Sequence, residues 1–183
     1  MNRIGFFLES LKHFGMVGTV IPSSRMSAIK MTRPVDFGKA KIIVELGGGT
    51  GVITKEILRR MDKTAKLFVF ETNPNFAKAL SNLKDERLTV LEESAINAVE
   101  RLGSLGVKQV DYVISTLPLA IMDEETNEKI LEAVSKILKP SGRYVQIQYS
   151  LISKNRIKRK FPKLKVDFTL LNFPPAFFYI CER

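Results

Sequence analysis

The sequence of 183 residues has one cysteine, one histidine and no long hydrophobic run, and each shortage closes off a class of protein. A lone Cys181 cannot form an internal disulfide, which fits a reducing compartment. His13 is the only histidine, and no set of histidine, cysteine and carboxylate residues has metal-ligand spacing, so no metal site is expected. His13 also lies far from the motifs described below, which gives it a surface role rather than a catalytic one. No apolar stretch is long enough to cross a bilayer, and the N-terminal one is interrupted by Glu9 and Lys12 before any cleavage-type sequence. The expectation is a soluble, unprocessed cytoplasmic protein. Internal repeats and low-complexity tracts are absent as well. What remains is an ordinary apolar fraction of 45% and a length that suits one domain with its own core. Lysine and arginine outnumber the acidic residues to give a net charge of +10, which predicts attraction to polyanions, either nucleic acid or an anionic membrane face.

From residue 41 onward, short apolar runs alternate with segments of helical spacing. Strands are expected at 41–47, 66–71, 88–91, 109–115 and 144–149, and helices at 50–61, from Pro74 behind an Asn73 cap, at 95–102 and at 124–138. Lys139-Pro140-Ser141-Gly142 reads as a turn that neither helix nor strand continues through. Such alternation predicts a doubly wound, mostly parallel sheet with helices on both faces. Two further strand-like runs, 165–171 and 176–181, are separated only by Asn172-Phe173-Pro174-Pro175. That connection can only reverse the chain, so the last of seven strands is expected to be antiparallel. Residues 1–40 fall outside the alternation and read as an N-terminal helical extension on the 41–183 domain. Ile4, Phe7, Leu8, Leu11 and Phe14 share one helical face, and Pro22-Ser23-Ser24 would open a second short helix through Met31.

The most informative segment is Val44-Glu45-Leu46-Gly47-Gly48-Gly49-Thr50-Gly51, which leaves a buried strand and enters a helix. A sharp bend that lets backbone approach a ligand needs residues without Cβ atoms, and Gly47, Gly49 and Gly51 alternate here. The spacing is not G-x-G-x-x-G: Val52 or Thr54 stands where the third glycine belongs. No Gly-Lys-Ser/Thr follows, so it is not a phosphate loop either. A carboxylate at Glu45 would repel a pyrophosphate but suit a ligand bearing an ammonium group and a sulfonium centre. Glu71, about twenty residues on at the end of the second strand, is placed to accept both hydroxyls of a ribose.

The segment resembles motif I of class I S-adenosylmethionine-dependent methyltransferases (E/D-x-G-x-G-x-G), whose fold is the Rossmann-like sheet expected above. The resemblance implies S-adenosylmethionine as cofactor, with Glu45 reaching its methionine end, often through water, Gly47, Gly49 and Gly51 shaping the loop, and Glu71 on the ribose. It also implies an adenine contact from Glu93, Ser94 or Ala95 after the third strand. Many members carry Asp where Ser94 falls, which leaves the choice between Glu93 and Ser94 open.

The fourth strand ends in Ile114-Ser115-Thr116-Leu117-Pro118-Leu119, where such enzymes orient the methyl acceptor. Enzymes acting on base amines typically have Asn/Asp-Pro-Pro-Tyr/Phe there; this chain has one proline and no aromatic platform. Several pieces together resemble the bacterial phospholipid N-methyltransferases, which methylate phosphatidylethanolamine. They are residues 18–24, 45–51, 115–119, 145–149 (Val145-Gln146-Ile147-Gln148-Tyr149) and 172–176. The resemblance implies transfer of methyl groups to a phospholipid head-group amine, oriented by Ser115, Thr116, Leu117 and the Tyr149 hydroxyl. It also implies a peripheral position on the inner membrane face, with zwitterionic or anionic lipids as partners. The stripe at 4–14 and the basic run at 154–160, followed by Lys163 and Lys165, would meet the lipid, and Arg25 would hold a lipid phosphate or the cofactor carboxylate. Tyr149 as a packed strand residue, the stripe as a packing face and the basic run as a solvated face are the plain structural readings. Two other functions share the cofactor site: an RNA methyltransferase of the rRNA adenine type, and a non-catalytic S-adenosylmethionine-binding or membrane-interaction module.

Overall fold

The computed structural model describes residues 25–169 and 175–183. The 4–14 stripe, the Pro22-Ser23-Ser24 cap and most of the 172–175 turn lie outside the described residues. Seven strands form one sheet: β1 (Ile42–Leu46), β2 (Lys66–Phe70), β3 (Leu88–Leu91), β4 (Val110–Ser115), β5 (Leu138–Gln148), β6 (Lys163–Thr169) and β7 (Ala176–Glu182), in the order β3-β2-β1-β4-β5-β7-β6. The first five are parallel, and β7 runs antiparallel to both β5 and β6. β1, β2 and β4 are largely buried on both faces, so their runs are mostly apolar rather than alternating, whereas the edge strand β3 exposes Thr89. Cys181, on β7, is fully buried between Tyr144 of β5 and Leu164 of β6.

Helices cover both faces. On one side lie α1 (Arg25–Thr32), α2 (Val52–Arg60) and α3 (Pro74–Ser81), whose Ala28, Met31, Ile53, Ile57 and Leu80 pack with Ile43, Val69, Ile114 and Val145. On the other lie a 3-10 turn (Ala95–Asn97) continuing into α4 (Ala98–Ser104), then α5 (Glu124–Ile137) and α6 (Lys154–Lys160). Their Leu102, Ile130, Val134 and Ile157 pack with Val44, Leu46, Val113 and Tyr144. The α1 helix is thus built into the core, and Arg143 on β5 donates to the Pro34 carbonyl just beyond it. Among the described residues no helix is long and apolar enough to cross a membrane.

Local chemistry sets the element ends. Asn73 caps α3, its side chain accepting from the Asn75 and Phe76 amides, with Pro74 at the first helical position. The helix expected over 95–102 opens instead as a 3-10 turn, with Ser94 at its cap, and continues to Ser104. The 139–142 segment corrects the sequence expectation, because strand pairing runs through it. Leu138, which ends α5, already pairs with Val110, and pairing resumes at Arg143 opposite Tyr112. The residues between them bulge, with Ser141 at φ 65°, and a bulge is where a strand tolerates proline.

Candidate active site

Strand order reverses between β1 and β4: from β1 the chain winds outward to β2 and β3, then returns to β4 and β5. In open α/β sheets that reversal opens a crevice beyond the carboxyl ends of the strands. The glycine bend stands there. Gly47 and Gly49 have φ of 82° and 51°, and Gly51, at 78°, caps α2 from the left-handed region that glycine occupies without strain. Gly48 is required by packing, since a Cβ there would lie 2.6 Å from both Leu80 Cδ1 and Val69 Cγ1. Gly49 differs: nothing lies within 4 Å of where its Cβ would be, so the bend opens at this residue.

Three neighbours fix the bend. The Gly47 amide donates to the Phe70 carbonyl at 2.8 Å, and the Thr116 hydroxyl donates to the Gly47 carbonyl at 2.7 Å. Glu71 accepts from the Gly49 amide through one oxygen and from the Asn73 amide through the other, both at 2.8 Å. Thus Glu71, Gly47, Gly49, Gly51 and Thr116, named from sequence, meet at one end of the sheet.

Glu45 lies behind the bend rather than beside it. It is fully buried on the α2 face; one carboxylate oxygen accepts from the Thr54 hydroxyl at 2.7 Å, and the other has no hydrogen-bond partner. Burial, reinforced by the charge of Glu71, pushes its pKa up to about 8 against the Thr54 hydrogen bond, which lowers it. Among the described residues no cation pairs with Glu45 or Glu71, whereas most other acidic side chains have one. An open bend backed by two acidic side chains that no described cation pairs with, one with an orphaned oxygen, fits a cationic nucleoside and not a phosphate chain.

After β3, Glu93 forms an ion pair with Arg101 at 3.0 Å, Ser94 accepts weakly from the Ile96 amide at 3.4 Å, and Ala95 is buried. All three stay at the same end of the sheet, one turn beyond β3.

The acceptor edge holds residues that the sequence reading passed over. The Leu117 carbonyl accepts from three donors: Gln146 Nε2 at 3.0 Å, Gln148 Nε2 at 2.8 Å and the Leu119 amide at 2.9 Å. Gln146 in turn accepts from the buried Tyr144 hydroxyl at 2.5 Å, and the Leu117 amide donates to Ser115 Oγ at 3.3 Å. Ser115, Tyr144 and Gln146 are fully buried and Gln148 nearly so. This closed polar network pins the turn that leaves β4. Its signal in the sequence was two glutamines at alternate positions of an otherwise apolar strand. Tyr149 falls on the other face: it packs with the α1–α2 core, where burial raises its pKa, while Ser115, Gln146 and Gln148 face the α5 side. The side chains of Ser115 and Tyr149 are therefore not brought together.

The basic run forms α6, and much of its charge is matched. Glu124, Glu128 and Glu132 make a stripe along α5. Arg156 pairs with Glu124 and Glu128, Arg159 with Glu128, and Lys160 with Glu132. Among the described residues Lys154 and Lys158 have no such partner.

Residues 43–142 match a family model described as a methyltransferase domain. The chain is 31% identical to the ornithine lipid N-methyltransferase of Singulisphaera acidiphila, over 97% of this chain and 95% of that protein. Its fold is similar to a precorrin-6y methyltransferase from Geobacter metallireducens, with a TM-score of 0.69 at 15% identity, covering 89% of this chain and 92% of that one. It is also similar to a 16S rRNA methyltransferase of T. thermophilus in complex with AdoMet and guanosine. There the TM-score is 0.66 at 15% identity, over 91% of this chain but only 44% of that one.

Proposed function

The chain belongs to the class I S-adenosylmethionine-dependent methyltransferases, and from that premise we propose that it methylates the head-group amine of a membrane lipid. The observation that carries this reading is similarity along nearly the whole chain to a protein named for N-methylation of a lipid. Such similarity includes the β5–β7 end and not only the glycine bend that all these enzymes share.

In this reading Glu71 accepts the ribose hydroxyls, the bend from Gly47 to Gly51 presents its backbone to the cofactor, and Glu45 supplies negative charge behind the methionine end. Glu93, Ser94 and Ala95 line the adenine edge. The bound cofactor supplies an electrophilic methyl on a sulfonium. The rest is alignment, because an in-line displacement needs a lone pair held facing that methyl. An ammonium has no lone pair, so the acceptor edge must favour the neutral amine by excluding water and offering acceptors. The Leu117 carbonyl is filled by three donors, so the reading turns to the backbone at Thr116 and the turn that follows β4 to receive the amine. The Gln146–Gln148 pair holds the turn in place while this happens.

A lipid acceptor requires contact with a bilayer, and the reading places the chain peripherally on the cytoplasmic face. Leu151, Ile152 and Phe168 support this: they are 46%, 65% and 53% exposed at or just past the carboxyl ends of β5 and β6, the end that carries the site. Lys154 and Lys158 follow on α6 and would add attraction to anionic lipid.

The test is incubation with radiolabelled S-adenosylmethionine and, separately, phosphatidylethanolamine liposomes, ornithine-lipid liposomes and total RNA. Label should enter a lipid, and the two lipid arms decide the head group. Label in RNA alone would replace the lipid reading with the RNA one. Cofactor binding without label in any arm would mean a non-catalytic module.

A further inference from the structure

We propose that Glu45 holds a proton while the site contains no cation and releases it to solvent when the sulfonium cofactor is seated, so that cofactor binding is coupled to proton release. The proposal rests on the methyltransferase reading and concerns what one residue does within it. Its geometric basis is the placement of the carboxyl group. Glu45 has no exposed surface, Thr54 alone as its hydrogen-bond donor among the described residues, and a second oxygen with no partner there. A charged carboxylate in that position lacks both water and a counter-ion, whereas a neutral one does not need them. A sulfonium in the crevice would be the missing counter-ion.

Among the described residues no cation is paired with Glu45. From β2 the facing charge is Glu71, which is of like sign. From α2 the facing group is the uncharged Thr54; Glu56 on that helix is held by Arg59 and Arg60, and Lys55 is exposed, its Cε 4.0 Å from where a Cβ on Gly51 would sit, with no effect on the Glu45 carboxyl. From α1 come Ala28 and Met31; Lys30 is committed to Asp167 and to the Phe168 carbonyl, and the charge of Arg25 acts on Glu56. From α3, β4 and β5 come Leu80, Ile114, Val145 and Ile147. Among the described residues no positive charge is placed to ionise Glu45, and a cationic ligand in the crevice would bring one.

The step balances simply. The Glu45 O–H ionises, the proton goes to solvent, and the negative charge stays opposite the ligand. Methyl transfer would form a bond from the acceptor nitrogen's lone pair to the methyl carbon and leave the carbon–sulfur electron pair on sulfur, so the positive charge would pass from sulfur to the methylated amine. Glu45 then regains part of its affinity for a proton, which weakens the hold on the product relative to the cofactor.

Isothermal titration of the full chain with S-adenosylmethionine and with S-adenosylhomocysteine, each in phosphate and in Tris at pH 7, reads this directly. A group with a free pKa of about 8 is about nine-tenths protonated at pH 7, so the cofactor should release close to one proton. The homocysteine product carries the same amino-acid end without the sulfonium and should release less. Glu45→Gln should remove the buffer dependence that Glu45 contributes and narrow the affinity gap between the two ligands. If Glu45→Gln does not fold, the affinity of the unaltered chain still decides. It should tighten as pH rises toward about 8 and then level off, and Thr54→Val, which removes the hydroxyl donor to the carboxyl, should move that levelling upward. Binding with equal heats in both buffers and a flat pH profile would overturn the proposal and leave the methyltransferase reading standing. No binding heat for either ligand would overturn that reading itself.

Discussion

Placing a side chain on each of two adjacent glycines should have opposite consequences, because the two costs have different physical origins. At Gly48 the backbone is unstrained and the obstacle is contact: an added Cβ sits 2.6 Å from Leu80 Cδ1 and 2.6 Å from Val69 Cγ1. Leucine can swing aside, but a β-branched valine on a buried strand has few alternative rotamers. Overpacking of this kind costs about 2 kcal/mol, and about 2–4 °C per kcal/mol for a chain of this size gives a fall in Tm of roughly 6 °C. At Gly49 no atom opposes a side chain, but φ is 51°, and an L residue there costs about 1–2 kcal/mol whatever its size. Alanine and arginine at position 49 should therefore destabilise the fold alike. Their effects on S-adenosylhomocysteine binding should diverge, with arginine filling the crevice and abolishing it while alanine weakens it modestly. Gly48→Ala, once folded, should bind within a few-fold of the unaltered chain. Urea unfolding followed by circular dichroism gives the stabilities, and calorimetry gives the affinities. If Gly49→Arg were several kcal/mol less stable than Gly49→Ala, the space beyond Gly49 would not be open. If Gly49→Arg still bound the ligand, the bend would not be the cofactor site.

Two further outcomes follow from the buried polar groups. Between the ordinary carboxyl pKa of 4.5 and the value of about 8 in the fold, the folded chain keeps a proton on Glu45 that the unfolded chain has lost, so stability falls as pH rises and levels off above about 8. Relative to Glu45→Gln, the unaltered chain should lose about 2 kcal/mol between pH 6 and pH 8, read from urea midpoints; parallel profiles would mean that Glu45 does not bury a proton. Gln148→Glu turns a donor to the Leu117 carbonyl into an acceptor, so lipid methylation should drop on the order of 10- to 100-fold at alkaline pH and recover as the new carboxyl protonates. Affinity for S-adenosylhomocysteine should stay within about twofold; if affinity falls in step with activity, Gln148 supports the whole fold rather than the acceptor edge.

Where local chemistry decides the outcome, the sequence was readable to the residue. Asn73-Pro74 opens α3 as expected, because a capping side chain and a proline without an N–H satisfy the same helix end. The apolar runs of β1 to β4 and the reversal before β7 were equally plain. The 139–142 segment was not, since proline and glycine read as a turn unless a neighbouring strand is known to accept a bulge. The charge run at 154–160 was misleading for a similar reason. Its partners Glu124, Glu128 and Glu132 form a stripe only when α5 is a helix, and they face α6 only once both helices lie on the same side of the sheet. Glu45 and Glu71 stood out as acids ending apolar strands. That one would be buried behind the bend while the other holds the Gly49 amide depends on which face each side chain leaves, and hence on register. The glutamines at 146 and 148 carried a signal, polar residues at period two in a core strand, whose meaning required the carbonyl they meet.

Cys181 gives the chain a built-in clock. It is the one thiol in a sequence without tryptophan, it lies on β7 between β5 and the edge strand β6, and burial pushes its pKa up to about 12. An alkylating reagent therefore meets no reactive sulfur until β7 parts from its neighbours, and mass spectrometry after a timed pulse counts molecules that have opened. Each ligand and variant can be ranked by how long it delays that labelling, with no dye or engineered probe attached to the protein.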